Sequence, residues 1–127
     1  MKVLVTGGCG FIGSNFINYL LNSSEVKEEI FIINLDKQTY AGQGKNMEVL
    51  KIDKNPNYKF FKGDICDIEI VEEIFSEEKP EIVFNFAAES HVDRSIHDSM
   101  TFVKSNVEGV TILLEASKRH DVKKFIQ

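Results

Sequence analysis

Closely spaced glycines near the start of the chain have the pattern of a dinucleotide-binding turn. Residues 6–13 read TGGCGFIG, which fits Gly8-x-Gly10-x-x-Gly13 and also a second glycine pattern that begins at Thr6. Bare backbone at such positions can turn sharply and approach a pyrophosphate, and a helix that follows presents its positive end to the charge. The pattern predicts a diphosphate site. The alternative, a turn kept only for close packing of helix on strand, stays open.

A carboxylate lies where the ribose of such a ligand is expected. Asp36 is 23 residues beyond Gly13, at the end of the second predicted strand. A carboxylate there accepts hydrogen bonds from both ribose hydroxyls and repels a 2'-phosphate by roughly 1 to 4 kcal/mol. We therefore expect NAD rather than NADP, and we do not expect the exposed cation of Lys37 to cancel this preference.

A second group of polar residues follows an apolar run later in the chain. Residues 84–96 read FNFAAESHVDRSI, with five polar or ionisable side chains between positions 89 and 94. We interpret this segment as facing a ligand at the end of the fourth strand. The alternative is a surface histidine at His91, followed by an ordinary local ion pair between Asp93 and Arg94.

The composition limits the class of protein. The 127 residues are 43% hydrophobic and contain two prolines, which is typical of one ordered domain covering residues 1–127. No apolar run approaches the roughly 20 residues of a membrane span. The start of the chain lacks the features of a secretory signal, so we expect a soluble, cytoplasmic protein without a membrane partner.

Charge and cysteine content narrow the choice of ligand. A net charge of −5 and a pI near 5.2 provide no basic stripe, so we expect no nucleic-acid partner. Cys9 and Cys66 are too few for a disulfide framework or a metal cluster, and we interpret them as buried free thiols. A small molecule is the expected ligand, with no metal.

Hydrophobic periodicity predicts strands that alternate with helices. The predicted strands are Lys2–Thr6, Ile30–Leu35, Tyr58–Phe61, Ile82–Phe86 and Val122–Ile126. The predicted helices are Phe11–Leu21, Met47–Ile52, a third that follows Asp67 as its N-cap and stops at Pro80, and Ser99–Arg119. Right-handed crossovers then give an α/β fold of Rossmann type, a doubly wound parallel sheet in the order 3-2-1-4-5. Its ligand crevice opens between strands 1 and 4.

Four segments together carry a resemblance to a known family. They are TGGCGFIG, LDKQTYAG at 35–42, GDICD at 63–67 and AAESHVDRS at 87–95. In this combination they resemble the dTDP-glucose 4,6-dehydratases, lyases of the extended short-chain dehydrogenase/reductase superfamily. The resemblance implies tightly held NAD that takes a hydride from sugar C4, permits loss of water across C5 and C6, and returns the hydride to C6. The implied substrate is the nucleotide sugar dTDP-glucose.

The same resemblance implies a set of cofactor contacts. They are Gly7, Gly10, Phe11, Ile12 and Gly13 at the pyrophosphate; Asp36, Lys37 and Thr39 at the adenosine ribose; Asp64 and Ile65 at adenine; Ala87, Ala88, Glu89, Ser90 and His91 along the nicotinamide half; and Ser105 from the long helix. His91 is also implied to reach the substrate. Ser105 stands where the family usually has threonine, and Gln43-Gly44-Lys45 departs from the usual loop. From the residues alone, Asp64 has the alternative of only helping to start the next helix.

The superfamily's Tyr-x-x-x-Lys pair does not occur on a predicted helix. Tyr58 and Lys62 have the spacing, but four residues of strand span about 13 Å, too far for the lysine to lower the pKa of the phenol. We therefore expect no catalytic residue in residues 1–127. We interpret the chain as the N-terminal portion of a longer enzyme that alone binds NAD weakly and turns over nothing.

Two other functions share these features. The first is the cofactor half of another nucleotide-sugar enzyme, an epimerase or a decarboxylase. The second is a nonenzymatic dinucleotide-binding module. The long helix at 99–119 has more apolar surface than one sheet face would cover, and the resemblance implies that it forms a homodimer interface.

Overall fold

The computed structural model describes residues 1–39, 45–88 and 99–127 of the chain. Short runs of β-branched and aromatic residues form the strands, as expected for a sheet covered on both faces. The strands are β1 (Lys2–Thr6), β2 (Phe31–Asp36), β3 (Tyr58–Lys62), β4 (Ile82–Asn85) and β5 (Lys124–Ile126). The helices are α1 (Phe11–Asn22), α2 (Lys45–Val49), α3 (Ile68–Glu78), α4 (Ser99–Val103) and α5 (Val110–Arg119). A π-helical segment, Lys104–Gly109, joins α4 to α5.

All strand pairings are parallel, and the strand order is β3-β2-β1-β4-β5. This confirms the predicted fold class and order. β1 is the central strand: Thr6 lies opposite Leu35 of β2 and opposite Asn85 of β4. The carboxyl ends of β1, β2 and β4 therefore meet at one edge of the sheet.

Each face of the sheet carries its own hydrophobic core. On one face, α1 and α2 contribute Ile17 and Met47 to a cluster with Ile32 of β2. On the other face, α3 and α5 contribute Phe75 and Leu113, which are completely buried. Successive side chains along a strand point to opposite faces of the sheet, so the strands contribute residues to both cores.

The third helix begins and ends as its sequence predicts. The Asp67 carboxylate accepts hydrogen bonds from the backbone N–H groups of Glu69 and Ile70, which satisfies amides that have no partner within the helix. The helix ends at Glu78; the next residue, Lys79, caps it with a left-handed φ of 51°, and Pro80 follows. Asp67 as N-cap is thus confirmed.

Several predicted bounds differ from the structure. The helix expected at Met47–Ile52 is α2, followed by a 3-10 turn at Ile52–Lys54. β4 and β5 are shorter than predicted, because Phe86 and Val122 lie outside the strand pairing. The long helix at 99–119 contains the π-helical segment, which hydrophobic periodicity did not predict.

The structure also bears on the bulk expectations. Cys9 and Cys66 are both free, but only Cys9 is fully buried. Within the described residues, no helix has the length and apolar character of a membrane span, and no cluster of ligating side chains suited to a metal ion occurs.

Candidate functional site

The candidate site lies where the sheet changes its winding direction, at the carboxyl ends of β1 and β4. The chain leaves β1 for α1 on one face, whereas the helices that flank β4 in sequence cover the other face. A crevice opens between two strands that diverge in this way, and ligands bind there in open α/β sheets. The glycine turn at 7–10 forms one wall of that crevice.

Gly7 of this turn and Gly13 of α1 have no room for a side chain. Gly7 has a φ of 67°, and a Cβ there would lie 2.5 Å from the backbone nitrogen of Ala87. A Cβ on Gly13 would lie 2.5 Å from the carbonyl oxygen of Gly7. Only glycine allows β4 and α1 to approach the turn so closely, so the segment after β4 lies against the glycine turn.

The backbone amides of the glycine turn form hydrogen bonds within the protein, whereas those at the start of α1 are left for another acceptor. Four N–H groups bond internally: Gly7 to Leu35 O (3.0 Å), Gly8 to Asn34 Oδ1 (3.1 Å), Cys9 to Asp36 Oδ2 (2.9 Å) and Gly10 to Gly7 O (3.2 Å). The first-turn amides of Phe11, Ile12 and Gly13 have no acceptor within α1, and no side chain caps them. These amides and the positive end of the 12-residue helix are available to an anion.

A cavity of about 400 Å³ extends from the start of α1 along the ends of β2 and β3. Its lining includes every predicted cofactor residue that the structure describes: Gly7, Gly10, Phe11, Ile12, Gly13, Asp36, Lys37, Thr39, Asp64, Ile65, Ala87, Ala88 and Ser105. The structure thus brings these residues together around one space. Their contacts with a cofactor stay predictions.

The carboxylate of Asp36 is held at the cavity wall by two backbone amides. Its Oδ2 accepts from Cys9 N–H at 2.9 Å, and its Oδ1 accepts from Gln38 N–H at 2.7 Å. Each carboxylate oxygen has a second lone pair. Asp36 can therefore stay fixed to the glycine turn while it accepts hydrogen bonds from a ligand.

An ion pair at the cavity wall joins the ends of β2 and β3. Lys37 Nζ lies 3.4 Å from Asp64 Oδ2. Partial burial by itself would raise the pKa of Asp64, but the hydrogen bond from Cys66 N–H and the Lys37 ammonium outweigh it and lower the pKa below its ordinary value. Asp64 is therefore a carboxylate at neutral pH, able to accept hydrogen bonds from a ligand.

The π-helical segment brings Ser105 into the cavity wall from the opposite side. Ser105 is buried. Four residues later, a Cβ on Gly109 would lie 2.5 Å from Ile65 Cδ1, and Cys66 Sγ donates to the Lys104 carbonyl at 3.3 Å. Through these contacts the π-helical segment packs against the connection between β3 and α3, which contains Asp64.

Other sequence-based hypotheses have different outcomes. Glu89, Ser90 and His91 lie outside the described residues, as do residues 40–44 of the loop after Asp36, so their predicted roles stay predictions. Tyr58 and Lys62 do lie at opposite ends of one strand, β3. This confirms that they are not the superfamily's helical pair.

The sequence reasoning missed several residues of the site. Leu35, Gly63 and Phe86 also line the cavity; each immediately neighbours a predicted residue, which was the available signal. It also missed Asn34, which is completely buried and bonds to the glycine turn. An asparagine within an otherwise apolar strand was a signal for a buried polar contact.

The chain is similar to known proteins over nearly all its length. A family model described as GDP-mannose 4,6 dehydratase matches residues 4–127. The dTDP-glucose 4,6-dehydratase of Haemophilus influenzae is 46% identical over 121 residues, which cover 94% of this chain and 34% of that protein.

Solved structures of such enzymes are also similar to this chain over nearly all its length. The crystal structure of DesIV, a dTDP-glucose 4,6-dehydratase from Streptomyces venezuelae with NAD and TYD bound, has a TM-score of 0.90 and 37% identity; the match covers 98% of this chain and 38% of that one. UDP-glucose 4-epimerase from Thermotoga maritima with UDP-glucose has a TM-score of 0.83 and 36% identity, covering 98% and 36%. The chain thus spans about a third of the length of these relatives.

Proposed function

The chain belongs to the GDP-mannose 4,6 dehydratase family, and from that premise we propose that residues 1–127 form the NAD-binding part of a nucleotide-sugar 4,6-dehydratase. One observation carries the proposal: a single cavity joins the free amides at the start of α1 to the carboxylates of Asp36 and Asp64. That order of groups suits a diphosphate, a ribose and an adenine in succession. The NAD bound in the Streptomyces venezuelae structure supports the choice of ligand.

The polar groups that line the cavity support this choice of cofactor. The amides of Phe11 and Ile12 would hold the diphosphate, since the bare turn beside them lets backbone approach it. Asp36 would accept from the ribose hydroxyls and Asp64 from the adenine end. Ala87, Ala88 and Ser105 would line the path towards the nicotinamide.

The proposed reaction divides the work between the cofactor and the protein. When bound, NAD supplies reversible hydride transfer, which the dehydration uses at sugar C4 and again at C6. The described residues bind and orient. None of their tyrosines precedes a lysine by four positions on a helix, so we propose that residues 1–127 alone convert no substrate.

The substrate proposal depends on relatives. The Haemophilus influenzae and Streptomyces venezuelae relatives are named as dTDP-glucose 4,6-dehydratases, so we propose dTDP-glucose for the whole protein, with His91 near the sugar. A UDP-glucose 4-epimerase activity is the second candidate, because the Thermotoga maritima enzyme is nearly as similar in sequence as the Streptomyces venezuelae enzyme, at 36% against 37% identity. The products separate the two: a 4-keto-6-deoxy sugar and water for the dehydratase, and the C4 epimer of the substrate for the epimerase.

A calorimetric titration tests the cofactor proposal directly. We expect the protein to bind NAD, and to bind NADP at least about tenfold more weakly, because about 1.4 kcal/mol of repulsion between Asp36 and a 2'-phosphate corresponds to that ratio. Absence of heat on addition of NAD, with the protein folded by circular dichroism, would overturn the proposal.

A further inference from the structure

A buried polar residue lies directly behind the glycine turn. Asn34 of β2 is completely inaccessible to solvent, on the same face of the sheet as Ile32 and the α1–α2 core. A buried side-chain amide is costly unless its donors and acceptor are satisfied. In Asn34 they are: Oδ1 accepts from Gly8 N–H at 3.1 Å, and Nδ2 donates to Tyr58 Oη at 2.8 Å and to Cys9 Sγ at 3.6 Å.

These contacts permit only one orientation of the amide. Gly8 N–H is a donor and needs the Asn34 carbonyl oxygen in front of it. A flipped amide would set Nδ2 against Gly8 N–H, donor facing donor. Gly8 N–H therefore selects the orientation, and Tyr58 stabilises it by accepting from Nδ2.

The Tyr58 hydroxyl is itself held in place. It donates towards Met47 Sδ at 3.6 Å, and burial raises the pKa of Tyr58 to about 12, so the phenol keeps its proton at neutral pH. The neighbouring Asn46 donates from Nδ2 to the carbonyl oxygen of Cys9 at 3.0 Å. Residues of α2, β3 and β2 thus converge on the back of the turn at Gly8 and Cys9.

We propose that Asn34 and Tyr58 are positioning residues for diphosphate binding: they fix the glycine turn from behind so that the first amides of α1 are aimed into the cavity. The inference rests on the proposed function, since it assigns a role towards the diphosphate of NAD. It also gives the Tyr58-x-x-x-Lys62 segment a function other than proton transfer. Lys62 takes no part in it.

Removal of one hydroxyl tests the proposal. Tyr58→Phe keeps the ring in the core but leaves one Asn34 N–H without its acceptor. The matched control is Tyr19→Phe, whose hydroxyl bonds to Glu25 at 2.8 Å on the exposed side of α1. The affinities for ADP-ribose and for adenosine, which lacks the diphosphate, are measured for each variant by NMR titration, a method that also covers millimolar binding.

We expect Tyr58→Phe to weaken ADP-ribose binding about fivefold, as for the loss of one net hydrogen bond, and to leave adenosine binding within about twofold. The backbone amide resonance of Gly8 should shift in Tyr58→Phe and stay in place in Tyr19→Phe. If both ligands weaken equally, or if only thermal stability falls, the role is merely structural and the proposal is wrong. If the wild-type protein binds neither NAD nor ADP-ribose, the proposed function fails and this inference fails with it.

Discussion

At the residue scale, Asp36 joins the fold to the proposed ligand. Its two oxygens already accept hydrogen bonds from Cys9 and Gln38 amides, so the carboxylate lies at the cavity with little freedom to move. A fixed carboxylate discriminates against a phosphate more effectively than a mobile one, which can turn away. Because Asp36 accepts from the Cys9 amide, loss of its carboxylate should loosen the glycine turn as well.

We therefore expect Asp36→Ala to have two effects. NAD binding should weaken, because ribose hydrogen bonds and the support of Cys9 are both lost. The ratio of NAD to NADP affinity should fall by about tenfold, because the repulsion of the 2'-phosphate disappears. Calorimetric titration with both cofactors measures the two effects separately.

Asp53→Ala serves as the control for this variant. Asp53 is exposed on the 3-10 turn and does not line the cavity that contains Asp36. Asp53→Ala changes the net charge by the same amount as Asp36→Ala, and its affinities for NAD and NADP should stay at the wild-type values. An unchanged ratio in Asp36→Ala would show that Asp36 is not the ribose ligand.

Single residues of the cavity were predictable where their place in the fold follows from position along the chain. Asp36 ends β2, Asp64 follows β3, and the glycines stand in a recognisable spacing, so the sequence predicted that they line the cavity. The roles of Asn34 and Tyr58 depend on a hydrogen bond between residues 24 positions apart. No local pattern encodes such a contact, so only the packed structure shows it.

At the element scale, one buried carboxylate joins the end of α3 to two strands. Glu78 is 8% exposed and accepts from Lys2 Nζ of β1 at 3.0 Å and from Lys59 Nζ of β3 at 2.5 Å. The hydrogen bond from Lys59 lowers the pKa of Glu78, and this effect exceeds the opposing effect of burial. The contact lies at the amino ends of the strands, away from the cavity.

We expect Glu78→Gln to lower the free energy of unfolding at pH 7 by about 1 to 2 kcal/mol. The expected effect is modest because both lysines are half-exposed and solvent screens their charges. Because the folded pKa is below the ordinary value of 4.5, the carboxylate stabilises the fold above that value, and the stabilisation is lost as pH falls through the folded pKa. Urea denaturation of wild type and variant between pH 7 and pH 3 measures this. Their difference should shrink towards acid.

Glu77→Gln provides the comparison, since Glu77 is exposed on the same turn of α3. Its effect should be small throughout the pH range. A destabilisation by Glu78→Gln that stayed constant down to pH 3 would contradict the role of the ionised carboxylate.

The elements themselves were largely predictable, with one physical exception. Strand order follows from alternating periodicities and crossover handedness, and the predicted order was confirmed. The π-helical segment was not foreseen, because its contacts are tertiary: Gly109 against Ile65, and the Lys104 carbonyl against Cys66. Helical periodicity within 99–119 contains no information about such neighbours.

At the scale of the whole molecule, the long helix presents an apolar stripe to solvent. Met100, Val103, Val107 and Leu114 are 72%, 50%, 58% and 46% exposed, and they recur at spacings of three, four and seven residues, which places them on one side of a helix. Apolar side chains clustered in this way mark interaction surfaces. A second copy of the chain, packed helix against helix, is the arrangement we expect to cover them.

Val107→Glu tests this arrangement at the centre of the stripe. A carboxylate there would be buried without a partner in the interface, so the dissociation constant of the dimer should rise by about tenfold or more. Sedimentation velocity over a range of protein concentrations measures the change. Val49→Glu adds the same charge at a valine that is 80% exposed on α2, outside the stripe, and should self-associate as the wild type does. A wild-type protein that stays monomeric at high concentration, or a Val107→Glu variant that associates as strongly as Val49→Glu, would show that the stripe is not the interface between two copies.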